Sequence, residues 1–358
     1  MKNLSAVGLA VVLGSAVLLG GCERPPVSST QGGYRGTAMV QVSNPRTTGP
    51  LVAAQTLPAV IPPIPGGDVL AKDTFKNVKV LGDLPVGEFT RTMLAITAWV
   101  SPSAGCTYCH KEGEDLSADT LYTKVVARRM LQMTRVINAD WKPHVAATGV
   151  TCFTCHRGQP VPAQVWFTDA GHKRAGGASA DSAGKNIASP LAGLSSLPTD
   201  PLTPFLLQDH PIRALSTTAL PTGNQQNIKQ TEGTYALMTY VSQSLGVNCT
   251  FCHNSRSFAD WAQSPPARTA AFHAIRMTRD LNKSYLEPLT STFPPQRHGP
   301  LGDVAKVGCA TCHQGLNKPL NGAAMAKDYP ALAAPPAATT AAVVVPTTAV
   351  APVAAPMR

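Results

Sequence analysis

Apolar residues recur at helical spacing along two stretches in the first half of this 358-residue chain, and related stretches return in the second half. Within residues 86–100, Phe89, Met93, Ile96 and Val100 share one face of a helix that ends before Ser101-Pro102. A longer helix is predicted from Ser117, read as its N-cap with Asp119 in the first turn, to about Trp141, and it carries Met130 and Met133. Residues 78–81 read as a short strand. Elsewhere the rhythm is lost. Residues 23–67 are Pro, Gly, Ser, Thr and Val with little charge, the composition of an extended tether or strap. Residues 171–200 form a Gly/Ala/Ser-rich linker. Residues 331–358 are an Ala/Pro/Thr tail expected to be disordered.

The chain repeats itself across that linker. Tyr240-Val241-Ser242 echoes Trp99-Val100-Ser101, and the run Met133 to Asn138 matches Met277 to Asn282. Cys155-His156-Arg157-Gly158 likewise matches Cys312-His313-Gln314-Gly315. Residues 68–170 and 201–330 therefore read as two related halves.

The first 22 residues read as an export signal: Lys2, an apolar run over residues 4–19, then Leu19-Gly20-Gly21-Cys22. A cysteine at the end of that site is where a bacterial lipoprotein carries its lipid. No other stretch is long and apolar enough to span a bilayer.

Composition sharpens the problem. Aromatic content is 6%, with 32 Pro and 29 Gly, so side chains alone are short of what a large core needs. The cysteines supply the missing volume. Eight of nine fall in four Cys-x-x-Cys-His motifs: Cys106/Cys109-His110, Cys152/Cys155-His156, Cys249/Cys252-His253 and Cys309/Cys312-His313. Two thiols three positions apart can each form a thioether to a porphyrin edge, and the adjacent imidazole then meets the iron. Zinc ribbons bring such pairs together at separations of about 15–20 residues and require no histidine after each. A thioredoxin-like pair would occur once, beside a βαβ pattern. Disulfides within the motifs would close only tiny loops. Four covalently bound haem c groups are the reading that uses every residue of the pattern, and the porphyrins become much of the core.

The formal charge of +10 points first to nucleic acid or anionic membrane. Haem propionates offset much of it, and no basic run interleaved with aromatics supports nucleic-acid binding.

An electron carrier keeps its iron six-coordinate, whereas a haem enzyme keeps a position open. The distal ligands therefore decide function. Met93 and Met238 fall at similar distances before the first and third motifs, each placed to fold over its own haem. For the second haem Met130 and Met133 compete; Met133 aligns with Met277, and Met130 with Ala274. The fourth haem can draw on Met277, His273 or a residue from elsewhere. His144 stands where the second half has Pro288, so it is free to cross over to the fourth iron, leaving Met130 for the second. A reductase of small oxyanions is the competing class, and His172, His210, His273 and His298 are its unassigned histidines. A periplasmic multihaem wire serving a respiratory partner is a third reading.

With the lipobox at Cys22, the four motifs, the two-fold repeat and the segments Thr97-Ala98-Trp99-Val100-Ser101-Pro102 and Thr148-Gly149-Val150-Thr151-Cys152, the chain resembles the tetrahaem cytochrome subunits of purple-bacterial photosynthetic reaction centres. The resemblance implies a mainly α fold with much irregular structure, two pseudo-symmetric dihaem halves packed around covalent haems. It implies His/Met ligation at three irons, by His110 with Met93, His156 with Met130 and His253 with Met238, and bis-His ligation at the fourth by His313 and His144. It also implies lipid anchoring at the periplasmic face of the photosynthetic membrane, on the L and M subunits with H in the same complex. A soluble cytochrome c or high-potential iron–sulfur protein would deliver electrons at the first haem. The third would lie nearest the photo-oxidised chlorophyll pair.

Overall fold

Helices are the main regular structure, and the haem motifs sit at their ends. The computed structural model describes residues 26–32, 39–169, 188–212 and 228–333. Cys22, His172, most of the Gly/Ala-rich linker and nearly all of the tail lie outside them. Strands β1 (Ser28–Gln31) and β2 (Val40–Ser43) pair antiparallel, Ser28 opposite Ser43, and are followed by helix α1 (Pro45–Ala53). The stretch expected as an extended tether thus contains a hairpin and a helix. Asn44 starts that helix by accepting a hydrogen bond from Arg46 N.

Helix α2 (Val86–Val100) has the bounds that the apolar spacing predicts. Thr92, Ala95 and Trp99 face inward, with Phe89, Met93 and Ile96 packed against the same core. Helix α3 (Tyr122–Asp140) starts five residues after Ser117. Ser117 instead donates its amide to Asp115 Oδ1 at 2.7 Å, in a turn ahead of the helix. The expected strand at residues 78–81 is absent: Val80 and Leu81 are core residues of an irregular loop. Apolar β-branched residues in a short run serve a packed loop as well as a strand.

Next come the turn α4 (Lys142–Val145) and the turn α5 (Cys152–His156). Helix α6 (Ile228–Leu245) precedes the third motif and α7 (Ala267–Asp280) follows it, running on into a wide turn at Leu281–Leu286. Turn α8 (Cys309–His313) carries the fourth motif. Among the described residues no helix is long and apolar enough to cross a membrane.

Among the described residues two cores form, and neither is cut from one contiguous stretch. The first gathers Leu81, Leu84, Ala95, Trp99, Leu131 and Phe153, and is closed by Leu320, Tyr329, Ala331 and Leu332 from the far end of the chain. The tail expected to begin its disorder at Ala331 therefore contributes two buried residues before position 334. The second core gathers Leu202, Phe205, Leu206, Leu237 and Tyr240 around Trp166 from the first half. Trp166 is locked there by reciprocal backbone bonds to Lys306 and by its indole N–H to Val307 O at 2.9 Å.

The strap over residues 57–64 crosses the start of α2 closely. A Cβ on Gly87 would lie 2.0 Å from Ile64 O, so only glycine permits the approach. Arg91, 5% exposed, answers from the helix, donating to Ile61 O at 2.7 Å and lying over the Tyr329 ring.

Candidate haem sites

The four Cys-x-x-Cys-His motifs take two shapes. Motifs one and three lie on 3-10 turns, Gly105–Tyr108 and Cys249–Phe251, with their first cysteines exposed. Motifs two and four are the single α-turns α5 and α8, each ended by a left-handed residue, Arg157 and Gln314. In both α-turns a threonine in the motif caps the start: Thr154 Oγ1 accepts from Thr151 N at 3.0 Å, and Thr311 Oγ1 from Gly308 N at 2.9 Å. Gly308 is required at its place, because a Cβ there would meet Tyr240 Oη at 2.2 Å. That hydroxyl in turn accepts from Ala310 N at 3.2 Å.

All four motif histidines make the same hydrogen bond. His110 Nδ1 donates to Leu116 O, His156 to Gln159 O, His253 to Phe258 O and His313 to Leu316 O, at 2.9, 2.9, 3.0 and 2.9 Å. With the proton held on Nδ1, each ring keeps the lone pair of Nε2 for a metal, which is how metal-bound imidazoles are oriented. Burial pushes the pKa of His156, His253 and His313 down, which keeps them in the neutral ligating form.

The sites suit a porphyrin and not a bare ion. Among the described residues no group of three or more His, Cys, Asp or Glu is placed to hold a metal. Burial pushes the thiols of Cys152 up to about 12 and of Cys252 and Cys309 up to about 11, which keeps them protonated at neutral pH. A porphyrin brings four nitrogens of its own and asks the chain only for axial ligands and thioether sulfurs.

His144 reaches across the molecule. Turn α4 packs on α7, and His144 Nδ1 donates to Ala270 O at 3.2 Å. Its ring centroid is 6.0 Å from that of His313. Two imidazoles sharing one metal through bonds of about 2 Å each stand roughly 6 Å apart, centroid to centroid. Burial, then His313, push the His144 pKa down to about 4, leaving it neutral.

Met93 and Met238 lie partly buried against the first and second cores, on the helices that precede motifs one and three. Met130 is half-buried on α3, its carbonyl accepting from Thr134 Oγ1 at 2.9 Å. The matching position in α7 is Ala274, whose carbonyl accepts from Thr278 Oγ1 at 2.8 Å.

Motifs two and four abut. The structure joins Cys155 to Cys312 as a disulfide, with Cα atoms 4.5 Å apart. The sequence reading gives each of these sulfurs to a separate porphyrin, and a sulfur can make only one such bond. The two assignments exclude one another at this pair; both require the motifs to be neighbours. Arg157 tightens the junction, donating to Gln55 Oε1 at 2.6 Å and Cys312 O at 3.3 Å.

Sequence reasoning missed the residues that seat these motifs. Asn138 exchanges two hydrogen bonds with Val150, at 2.9 and 2.7 Å, and donates to Leu332 O at 2.8 Å. Asn282 does the same with Val307, at 3.0 and 2.9 Å, and donates to Leu206 O at 2.9 Å. Each clamped residue lies two positions before a motif cysteine. The repeat aligned these asparagines; only the structure gives them work. Arg128 and Arg279 pair with Asp119 and Asp209.

The family described as photosynthetic reaction centre cytochrome C subunit matches residues 23–333. The chain belongs to that family. It is 52% identical over 331 residues to the photosynthetic reaction center cytochrome c subunit of Rubrivivax gelatinosus, covering 92% of this chain and 90% of that one. The subunit of the same name from Thermochromatium tepidum is 50% identical over 323 residues, 90% of this chain and 79% of its own. That of Roseobacter denitrificans is 41% identical over 345 residues, 92% of each. A reaction centre cytochrome c subunit is a membrane-associated electron-transfer component that carries covalent haem c. The mainly helical fold with much irregular structure accords with the family.

Proposed function

We propose that this subunit holds four haem c groups and passes electrons from a soluble periplasmic donor, a cytochrome c or a high-potential iron–sulfur protein, to the photo-oxidised bacteriochlorophyll pair held by the L and M subunits. The observation that carries the reading is the identical Nδ1 bond at His110, His156, His253 and His313. When bound, each group supplies a one-electron Fe(III)/Fe(II) couple; the chain supplies the rest.

The backbone carbonyls fix the tautomer and aim of the proximal rings. Met93, Met130 and Met238 would supply the second protein ligand to the first, second and third haems, and His144 to the fourth. A second protein ligand on every iron leaves no place for a small reactant, which favours electron transfer over catalysis. Thioether ligation raises a potential relative to a second imidazole, so three higher-potential sites and one lower are expected. The eight motif sulfurs are assigned to thioethers, Cys155 and Cys312 included. The halves, each with two haems and a matching asparagine clamp, are pseudo-symmetric on this reading. Lipid on Cys22 anchors the subunit at the periplasmic face of the membrane.

Flash photolysis of membranes containing the subunit tests the proposal. Haem oxidation should follow oxidation of the chlorophyll pair; haem absorbance unchanged by the flash would overturn it.

A further inference from the structure

Motifs one and three carry a threonine at the same place, yet the two hydroxyls have different partners. Thr107 Oγ1 donates to Ala104 O at 2.6 Å, within its own turn. Thr250 Oγ1 donates to Val40 O at 3.0 Å, in strand β2 and 210 residues away. It also accepts from Gln41 Nε2 at 3.0 Å. Gln41 Oε1 accepts from Asn248 N at 2.9 Å, and Asn248 Oδ1 accepts from Val42 N at 2.6 Å. Motif one has Gly105 where motif three has Asn248, so it lacks the side chain that answers the strand. Strand β2 is itself held in register by β1, so the grip is made by a folded hairpin and not by a loose end.

We propose that Gln41 is a positioning residue for the third haem: the N-terminal hairpin, through Gln41, locks the turn that carries Cys249, Cys252 and His253 against the body of the protein. The inference rests on reading motif three as a haem attachment site. The turn's other tie is local, the bond from His253 Nδ1 to Phe258 O with the two rings stacked. The turn is a short 3-10 segment with Cys249 exposed and Cys252 half-buried, and such turns have poorer hydrogen-bond geometry than α-helix. Gln41 meets it with both ends of one amide, a donor to the hydroxyl inside the motif and an acceptor for the amide just before it. Loosening that grip admits water at the porphyrin edge. Solvent favours the more highly charged oxidised iron, so the potential of this site alone should fall.

The test is a spectrally resolved redox titration of the complete haem-loaded subunit and four variants. Gln41→Ala and Thr250→Val should each shift one of the four components to lower potential, the same component that Met238→His displaces. Thr250→Ser, which keeps the hydroxyl, should retain the native value. Thr250→Val reaches the same bond from the other side, so a Gln41 variant that fails to assemble does not remove the test. Four unchanged potentials in the variants, or four that move together, would overturn the positioning role. A native protein that titrates with fewer than four covalent haem components would instead overturn the assignment of the motifs, a different result read in a different sample.

Discussion

His144 and His313 face one another with ring centroids 6.0 Å apart, although they lie 169 positions apart in the chain and in opposite halves of it. The bond from His144 to Ala270 O turns the first ring toward the second. Replacing His144 by methionine should therefore raise the potential of the lowest haem component and leave the other three in place. A redox titration checks this; a change confined to a His/Met component would mean that the ligands of the second and fourth haems are crossed.

On the proposed ligation each iron has a distal ligand from Met93, Met130, Met238 or His144, so carbon monoxide should not bind the reduced native protein. Difference spectra read the outcome. His144→Ala should open one site and take up about one equivalent of the gas, as expected for a single vacated axial position.

The sulfur assignments give a mass. Intact-protein spectrometry under denaturing conditions should show four haems retained, and alkylation should modify none of the eight motif cysteines whether or not reductant is present. Two cysteines that become reactive only after reduction would instead establish the Cys155–Cys312 disulfide.

Asn282 is fully buried and makes three backbone bonds. Asn282→Ala leaves those groups without partners, at about 1–3 kcal/mol for each one kept from water. Chemical denaturation should show a loss of roughly 2–5 kcal/mol, allowing for relaxation. Asn138→Ala should cost about as much, since Leu332 O takes the place of Leu206 O in the same pattern.

Asp119 supplies a pH dependence. The Arg128 guanidinium, then Asn77, hold its carboxyl well below the ordinary 3.8, and Lys124 lies 3.4 Å away. A carboxyl whose pKa is lower in the folded state adds stability above its unfolded value, and that stability is lost as pH falls toward the folded value. Below pH 3.8 the native protein should weaken more steeply than Asp119→Asn, and the two profiles should run parallel above about pH 5. Denaturation at a series of pH values measures the difference.

How much of this was legible from residues alone depends on range. Helix α2 was, because Phe89, Met93 and Ile96 repeat at a period that burial against a single core enforces. The start of α3 was not: Ser117 and Asp119 look like a cap, but Asp119 is drawn away to Arg128 and Asn77. The motif histidines were legible because their chemistry is written in consecutive residues. The carbonyls that orient them were not, since a backbone oxygen leaves no mark in sequence. Asn138 and Asn282 stood in plain view within the repeat, without a partner to explain them until Val150 and Val307 were brought alongside. The strap was least legible of all. Composition over residues 23–67 spoke for looseness, while Gln41 is bonded to Thr250 and Ile64 lies tight against Gly87 of α2.

The exchange of end pieces between the cores bears on how the molecule is made. Leu320, Tyr329 and Leu332 pack in one core with Trp99 and Leu131, yet they follow Leu131 by 189 positions or more. Until those residues dock, the core around Trp99 and Leu131 lacks one of its walls. The first half therefore does not complete its own interior, and losing residues 320–332 should loosen it as surely as losing a helix of its own.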